Sequence, residues 1–327
     1  MSNRIVAPSP HLHGDFSTPR IMRDVVIALI PAFAFSVFIY GLNAVFVTGI
    51  AILSCMLFEW LIDRFMLRRP CTLGDWSAVV TGTLLAFNLP ATISPWLIIL
   101  GSLVAIGIGK MSFGGLGRNL FNPALVGRVF LLISFPVQMT LFPDTAGVDA
   151  ITGATPLAFV KGALKTGTPV AEIMPNIDLG GLFLGFKDGS LGEIGALALL
   201  IGGIYLLIRR VITWRIPVFV LGTMFVFASI LWLANPELYI NPLFHVFAGG
   251  AMLGAIFMAT DYVTSPMSKK GQAIYAIGIG VITILIRVWG AYPEGMSFAI
   301  LIMNATVPLI NMYVKPSRFG GNSPKKK

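Results

Sequence analysis

The heptapeptide "DAITGAT", residues 149–155, contains the residue types in this chain whose spacing points most clearly to chemistry. Gly153 and Ala154 leave the backbone around Thr155 uncrowded, and Pro156 biases Thr155 towards an extended conformation. We therefore expect the Thr155 hydroxyl to be presented rather than packed. The alternative is structural, because Thr155 before Pro156 is also a common start for a helix over "PLAFVKGAL". On residue types alone, the structural interpretation is favoured.

Residues that commonly bind metals are scattered along the chain. Cys55 lies inside an apolar run and Cys71 in a basic loop, and this spacing fits no disulfide framework, redox pair or metal cluster. His11, His13 and His245 are also too dispersed to predict a metal site. His245 lies on an apolar segment, which favours a satisfied interhelical residue. We therefore predict no metal site.

Two other clusters have structural explanations. "GGLGRN" at 114–119 is rich in glycine, but no strand precedes it, so a tight connection between helices is a better interpretation than a nucleotide cradle. Glu59 and Asp63 lie close in sequence to Arg64 and Arg68. We predict local ion pairs there rather than a proton path.

The composition indicates an integral membrane protein, since 56% of the 327 residues are hydrophobic and only 11% are charged. The formal net charge is +9, but the basic residues flank apolar segments or lie in the closing "KKK". Membrane topology explains this pattern better than nucleic-acid binding, so we expect a lipid bilayer and no nucleic acid as partner. The chain is polar through Thr18 and shows no small-residue cleavage pattern, so no cleavable signal peptide is expected.

A helix needs about 20 mostly apolar residues to cross a bilayer, or fewer where protein surrounds it. We predict an all-α integral membrane protein with about ten transmembrane helices, at residues 24–40, 44–61, 76–88, 95–110, 119–135, 191–208, 216–233, 242–260, 272–289 and 295–313. The third segment is short. The fifth opens with "NLFNP", which predicts a bend or half-helix near Pro123.

Basic residues test this assignment, because Lys and Arg are retained in short cytoplasmic loops. They occur in alternate connections: Arg20 and Arg23; Arg64, Arg68 and Arg69; Lys110 and Arg118; Arg209, Arg210 and Arg215; Lys269 and Lys270; and the tail from Lys315. The intervening turns at 41–43, 89–94 and 234–237 contain no Lys or Arg. Both termini are therefore predicted to be cytoplasmic, and segment 136–190 to lie outside.

Sequence similarity between the two halves of the chain predicts an internal repeat. Segments 82–95, 105–109 and 121–127 resemble 254–266, 276–280 and 303–309 in the same order, although membrane sequences of low complexity can also align by chance. Because each half has an odd number of spans, five, the second half must be inverted. The predicted organisation is a first five-helix repeat with an N-terminal arm at 1–135, an outer loop at 136–190, a second repeat at 191–314 and a basic tail at 315–327.

The heptapeptide resembles the Asp-x-x-(Ser/Thr)-Gly-Ala-Thr signature of flavinylated respiratory subunits, in which a flavin transferase joins FMN through its phosphate to the last threonine. The chain resembles the NqrB/RnfD family, and its Rnf branch in particular, over nearly its whole length, with matching segments "PSPHL", "GGLGRNLFNPALVGR", "TGATPL" and "ATDYVTSP". This resemblance implies that Thr155 carries covalent FMN and that Asp149, Thr152, Gly153 and Ala154 form the recognition segment.

The resemblance also implies a role in an assembly. Rnf complexes pass electrons from reduced ferredoxin to NAD while moving Na⁺ or H⁺ across the bacterial inner membrane. This chain has no Rossmann fingerprint, cluster-type cysteines or haem ligand pair, so those sites would belong to partner subunits A, B, C, E and G. It would be a subunit of a translocase without a complete active site of its own. A second, noncovalent riboflavin is also expected from the family.

Several alternatives remain at this stage. Inverted five-helix repeats also build solute channels and carriers, and a purely structural anchor is a third possibility. Lys161 and Lys165 could stabilise a flavin anion or phosphate, although a solvated face is the simpler interpretation. Four polar residues at the repeated breaks could bind a cation or flavin, or could satisfy broken backbone: Asn88, Asn122, Asp261 and Asn304.

Overall fold

Helices, most of them apolar, make up the larger part of the structure, a computed structural model that describes residues 17–143, 152–153, 155–165, 170–173, 178–185 and 189–315. The first half contains α1 (Thr18–Tyr40), α2 (Leu42–Leu61), α3 (Ser77–Phe87), α4 (Pro95–Leu103) and α5 (Pro123–Ser134). Helices α2 and α4 continue as π-helical turns at Ile62–Met66 and Val104–Ile108. Single 3₁₀ turns lie at Leu73–Asp75 and Met111–Phe113.

The connecting segment and the second half follow in order. Short elements come first: α6 (Pro136–Thr140), β1 (Phe142–Pro143), β2 (Thr152–Gly153), α7 (Pro156–Lys165), α8 (Val170–Ile173) and α9 (Leu179–Leu184). The second half contains α10 (Ala196–Ile208), α11 (Arg215–Ala234), α12 (Pro242–Phe247), α13 (Ala251–Leu253), α14 (Lys269–Trp289) and α15 (Met296–Tyr313). A π-helical turn at Gly254–Met258 continues α13.

The helices confirm the prediction of an all-α integral membrane protein. Within the described residues, six helices are long and apolar enough to cross a bilayer by length and composition: α1, α2, α4, α11, α14 and α15, with α2 and α4 counted through their following turns. Helices α3, α5 and α10 are shorter and apolar. Each of the ten predicted segments contains a helix.

Three of the predicted segments differ in detail. The sixth begins as a helix only at Ala196, because the backbone N–H groups of Leu191 and Gly192 donate to the carbonyls of Leu89 and Phe87 instead of starting a helix. The fifth shows no half-helix before Pro123, where α5 simply begins. The eighth was predicted as continuous over 242–260, but it is interrupted between α12 and α13.

The contacts between helices can be compared in the two halves, whose relation as a repeat stays a prediction. Helix α2 packs on α3 and α4 in the first half, and α11 packs on α12 and α14 in the second. Across the halves, α1 packs against α10 and α5 against α15. At the repeated breaks, the Asn122 amide side chain donates to the Met258 carbonyl at 3.2 Å. The opposite orientation of the halves and the cytoplasmic position of the termini stay predictions.

Glycine allows the closest approach between the halves. A Cβ built on Gly202 of α10 would overlap the Ala28 carbonyl oxygen of α1. Small residues of this kind bring helix backbones together in membranes, where dispersion contacts rather than water exclusion drive association. The α1–α10 contact therefore requires glycine at this position.

The acidic residues at the end of α2 form ion pairs, but not with the predicted partners. Lys110 Nζ lies 2.6 Å from Glu59 Oε2, and Arg69 Nε lies 2.7 Å from Asp63 Oδ1. The prediction of pairing with Arg64 and Arg68 was wrong, because both arginines are on the exposed face whereas both carboxylates are buried. Pairing with more distant basic residues neutralises the carboxylates inside the protein.

The native cysteines provide a test of the predicted topology, because Cys71 is exposed and Cys55 is buried. We expect a membrane-impermeant maleimide to leave Cys71 unlabelled in intact spheroplasts and to label it after permeabilisation. In a Cys71→Ser background, Thr92→Cys, at an exposed position in the predicted outer turn, should react without permeabilisation. Labelling of Cys71 in intact spheroplasts would contradict the predicted orientation.

Candidate functional site

Thr155 begins helix α7 as its N-cap. Its Oγ1 accepts a hydrogen bond from the Ala158 backbone N–H at 3.2 Å, and its carbonyl accepts one from Phe159 at 2.9 Å. The residue is only 8% exposed. The expectation that the hydroxyl is presented was therefore wrong, and the capping alternative is confirmed. A cap of this kind satisfies a backbone donor that the first helical turn leaves unpaired.

The rest of the heptapeptide is described only in part. Thr152 and Gly153 form β2, which pairs antiparallel with β1 in the register Phe142 to Gly153. Asp149 and Ala154 lie outside the described residues. The strand pair holds the chain that leads to Thr155 against the segment that leaves α6.

Helix α7 is fixed by its apolar face. Leu157 and Val160, each 5% exposed, belong to the same buried cluster as Phe244 of α12. Lys161 Nζ donates to the carbonyls of Ile286 at 3.2 Å and Tyr292 at 2.7 Å. The interpretation of Lys161 as part of a solvated face was therefore wrong, because it binds the carbonyls at and just beyond the end of α14. The side chain of Lys165 lies outside the described residues.

Thr155 lines a cavity of about 190 Å³ between the two halves of the protein. Asn88 at the end of α3 and Arg128 of α5 contribute polar walls from the first half, and Glu294 contributes one from the α14–α15 connection. The remaining lining residues are Leu132, Pro136, Met139, Thr140, Phe142, Ala158, Tyr292 and Pro293. Thr155 thus lines the same space as Arg128 and Glu294.

Arg128 is the centre of a buried ionic cluster. It is 7% exposed, and its guanidinium donates to Asn88 Oδ1, to Glu294 and, at 3.3 Å, to Glu193 Oε1. Its Nε has no partner among the described residues. Because a lone buried charge is very unfavourable, Arg128 and the two carboxylates depend on one another. The cluster joins α5 to the loop before α10, through Glu193, and to the α14–α15 connection, through Glu294.

Arg128 also sets the charge state of Glu294. Burial favours the neutral carboxyl, but the Arg128 guanidinium outweighs it and holds the pKa of Glu294 below its usual range. The charge of Arg287 acts in the same direction. Glu294 is therefore a carboxylate at neutral pH.

The interruption of the eighth segment lies against this cluster. Arg287 of α14 donates to the carbonyls of His245 and, at 3.0 Å, Ala248, which lie at the end of α12. Gly249 follows with φ +65°, and a Cβ built there would lie 2.6 Å from Leu157 Cδ1 and 3.1 Å from Glu294 Oε1. The broken helix therefore needs both the arginine and the glycine.

The sequence analysis missed Arg128, Glu193, Arg287 and Glu294. They could have been recognised in the sequence as charged residues inside or next to apolar segments. Such residues are rare in membranes and are usually paired or functional. Of the four polar residues noted at the breaks, the structure brings only Asn88 to this cluster, while Asn122 and Asp261 line another cavity.

The geometry defines a multi-pass, all-helical membrane protein with a buried ionic cluster between its two halves, and comparisons with known proteins agree with it. Residues 5–320 match the model of the NQR2, RnfD, RnfE family. The chain belongs to this family, which confirms the resemblance found in the sequence.

Individual relatives match over nearly their full length. The chain is 45% identical to the D subunit of the Na(+)-translocating ferredoxin:NAD(+) oxidoreductase complex of Acetobacterium woodii, covering 99% of this chain and 98% of the relative. It is 42% identical to the D subunit of the proton-translocating ferredoxin:NAD(+) oxidoreductase complex of Clostridium ljungdahlii, with 96% of each covered. It is 40% identical to the D subunit of the ion-translocating oxidoreductase complex of Halorhodospira halophila, covering 95% of this chain and 94% of the relative.

The ionic cluster predicts a large effect of Arg128→Met. The substitution leaves the carboxylates of Glu193 and Glu294 buried without this cation, which costs about 3–5 kcal/mol. We expect a clearly lower midpoint of thermal unfolding for the detergent-solubilised protein. Arg118→Met, at an exposed position, is the matched control and should keep the wild-type midpoint. Equal midpoints for both variants would contradict a stabilising cluster.

The helix break predicts that Gly249→Ala is destabilising. The left-handed backbone costs alanine about 1–2 kcal/mol, and the added methyl group also overlaps Leu157. Gly222→Ala in α11, where a Cβ meets nothing within 4 Å, is the control. Thermal unfolding of the two variants compares them directly, and an unchanged midpoint for Gly249→Ala would show that the break tolerates a side chain.

Proposed function

We propose that this chain is a membrane subunit of an ion-translocating ferredoxin:NAD oxidoreductase complex of the Rnf type and that Thr155 carries FMN through a phosphoester. The family and the names of its relatives support the first part. The observation that carries the second part is the position of Thr155, which ends the heptapeptide, begins α7 and lines the cavity that contains Arg128.

The residues around Thr155 fit a phosphoester. A phosphate on Oγ1 would lie at the N-terminus of a ten-residue helix, where the backbone N–H groups and the helix dipole favour negative charge. An ester oxygen can still accept from the Ala158 N–H, so attachment is compatible with the cap. Arg128 lines the same cavity, where its guanidinium is paired with the Glu294 carboxylate. When bound, FMN supplies the electron transfer chemistry, and this chain holds and orients it.

The burial of Thr155 has a consequence for attachment. The flavin transferase must reach an oxygen on a residue that is 8% exposed and engaged in a helix cap. We therefore place flavinylation before α7 packs against α12. In this order, the finished fold holds the attached group in place through the contacts of Leu157, Val160 and Lys161.

The remaining parts of the reaction belong to partners. The chain has neither a dinucleotide fingerprint nor cluster-type cysteine spacing, so ferredoxin, NAD and iron–sulfur clusters are assigned to subunits A, B, C, E and G. We place the protein in the bacterial inner membrane with segment 136–190 outside. The relatives' names include both sodium and proton translocation, and the proposal covers Na⁺ and H⁺.

A noncovalent riboflavin fits less well. A cavity at the opposite end of the helices is lined by Ser77, Lys110, Asn122 and Asp261, together with Asn119, whose buried Oδ1 has no partner among the described residues. Its volume is about 80 Å³, whereas ligand pockets have volumes of about 300 Å³ or more. A three-ring flavin does not fit there as the cavity stands.

Flavin attachment predicts a simple result for Thr155→Ala. After expression with the transferase and partner subunits, the wild-type chain should be fluorescent in a denaturing gel, and Thr155→Ala should lose the signal because the esterified oxygen is gone. Thr140→Ala removes another hydroxyl residue from the same cavity and should keep the fluorescence.

Three outcomes would contradict this assignment. Fluorescence that persists in Thr155→Ala would place the flavin elsewhere, and a dark wild-type chain would favour a solute channel or carrier. Full ferredoxin:NAD turnover by a complex that contains Thr155→Ala would indicate a structural anchor instead of an electron carrier.

A further inference from the structure

A short basic and apolar segment protrudes at the end of α2. Five consecutive residues, 64–68, are exposed, and their sequence is Arg-Phe-Met-Leu-Arg. Phe65 is 66% exposed and Met66 is 75% exposed. In a regular helix that packs on one side, exposed positions return only every three or four residues. Five exposed positions in a row therefore show that segment 64–68 projects from the helices around it.

The length of α2 places this segment at the membrane surface. Helix α2 has 20 residues, Leu42–Leu61, and at a rise of about 1.5 Å per residue it spans about 30 Å. The hydrocarbon core of a bilayer has the same thickness, about 30 Å. Trp60 is exposed near the end of α2, as is common for aromatic residues at the boundary of this core. The residues after Leu61 therefore reach the lipid head groups.

Segment 64–68 continues an apolar face of α2. Leu42, Phe46, Leu53 and Leu57 are each more than half exposed, and helical spacing places them on one side together with Trp60. Because α2 is long and apolar enough to cross a bilayer, this side suits contact with lipid chains. Arg64 follows Trp60 by four residues. The segment thus extends a lipid-facing surface into the head-group region.

The two arginines of the segment are available to a ligand. The side chains of Arg64 and Arg68 have no hydrogen bond or ion pair in the part of the chain that the structure describes. The acidic residues nearest in sequence have other partners: Glu59 pairs with Lys110, Asp63 with Arg69, and Asp75 accepts from Ser77. Guanidinium groups bind phosphate through paired N–H donors. Two of them at head-group depth favour lipid phosphate.

The residues between the arginines favour the same ligand. Phe65, Met66 and Leu67 form a run of three exposed apolar side chains, which is unfavourable in water. Basic residues next to exposed apolar residues are typical of segments that lie at the boundary between head groups and acyl chains. A phospholipid satisfies both kinds of side chain at once.

We propose that segment 64–68 is a binding site for anionic phospholipid, with Arg64 and Arg68 at the phosphate groups and Phe65 and Met66 among the acyl chains next to the glycerol. An anionic head group is preferred to a zwitterionic one because basic residues are attracted to negatively charged membrane surfaces. This site goes beyond the proposed function and does not require FMN on Thr155.

Photolabelling of the purified complex in phosphatidylcholine vesicles tests the proposal. Two lipid probes carry the same diazirine on an acyl chain close to the glycerol, one with a phosphatidylglycerol and one with a phosphatidylcholine head group. We expect the phosphatidylglycerol probe to label peptides that contain residues 60–68 about fivefold or more above the other probe, since each basic residue near an anionic surface contributes about fivefold. Inorganic phosphate in excess, at constant ionic strength, should leave this preference unchanged.

Three double variants separate the parts of the site. Arg64→Gln with Arg68→Gln should bring the two probes to equal labelling. Arg118→Gln with Lys270→Gln removes the same charge at exposed positions that have no large exposed apolar residue directly beside them, and it should keep the preference. Phe65→Ser with Met66→Ser removes the apolar part and should lower labelling by both probes.

Each contrary result would overturn the proposal. Absence of labelling at residues 60–68 with either probe would show that a partner subunit covers the segment. Equal labelling of the wild type by both probes would show lipid contact without recognition of charge. Loss of preference in both charge variants would make net charge the cause, and competition by inorganic phosphate would make the site one for free phosphate. Unchanged labelling in Phe65→Ser with Met66→Ser would exclude insertion among the acyl chains.

Discussion

The buried ionic cluster around Arg128 is the interaction on which the rest of this structure depends. Two guanidinium groups, those of Arg128 and Arg287, lie near two carboxylates, those of Glu193 and Glu294, inside an otherwise apolar helical protein. Their charges cancel, and each would be very unfavourable alone. Each charged group lies on a different segment, namely α5, α14, the loop before α10 and the α14–α15 connection. The four segments must therefore meet for the charges to be paired.

The position of Thr155 follows from this cluster. Arg287 holds the end of α12, and the glycine after α12 is in contact distance of Leu157 and Glu294. Helix α7 packs on this broken segment through Leu157 and is bound to the end of α14 through Lys161. The loop element that bears Thr155 is thus attached to the most constrained part of the interior. The FMN that we propose on Thr155 would need a fixed position of this kind to exchange electrons with neighbouring centres.

The sequence predicts features of this protein that depend on local composition. Helices α11 and α14 begin and end within a few residues of the predicted segments, because a long apolar run has only one stable form in lipid. The break after α12 was not predicted, since Gly249 lies in an apolar run and the break depends on Arg287, far away in sequence. The two acidic partners of Arg128, Glu193 and Glu294, are 65 and 166 residues distant, so periodicity carries no information about them.

The same reasoning explains the mixed outcome at Thr155. Its sequence neighbours predicted both an accessible hydroxyl and a helix cap, and only the packing of α7 decides between them. The central claim is the phosphoester between FMN and Thr155, a residue that is capped and buried in the structure. The most direct measurement is the mass of the tryptic fragment 129–161 from the purified complex. The account predicts a mass gain equal to FMN less one water, located on Thr155, and an unmodified fragment would contradict it.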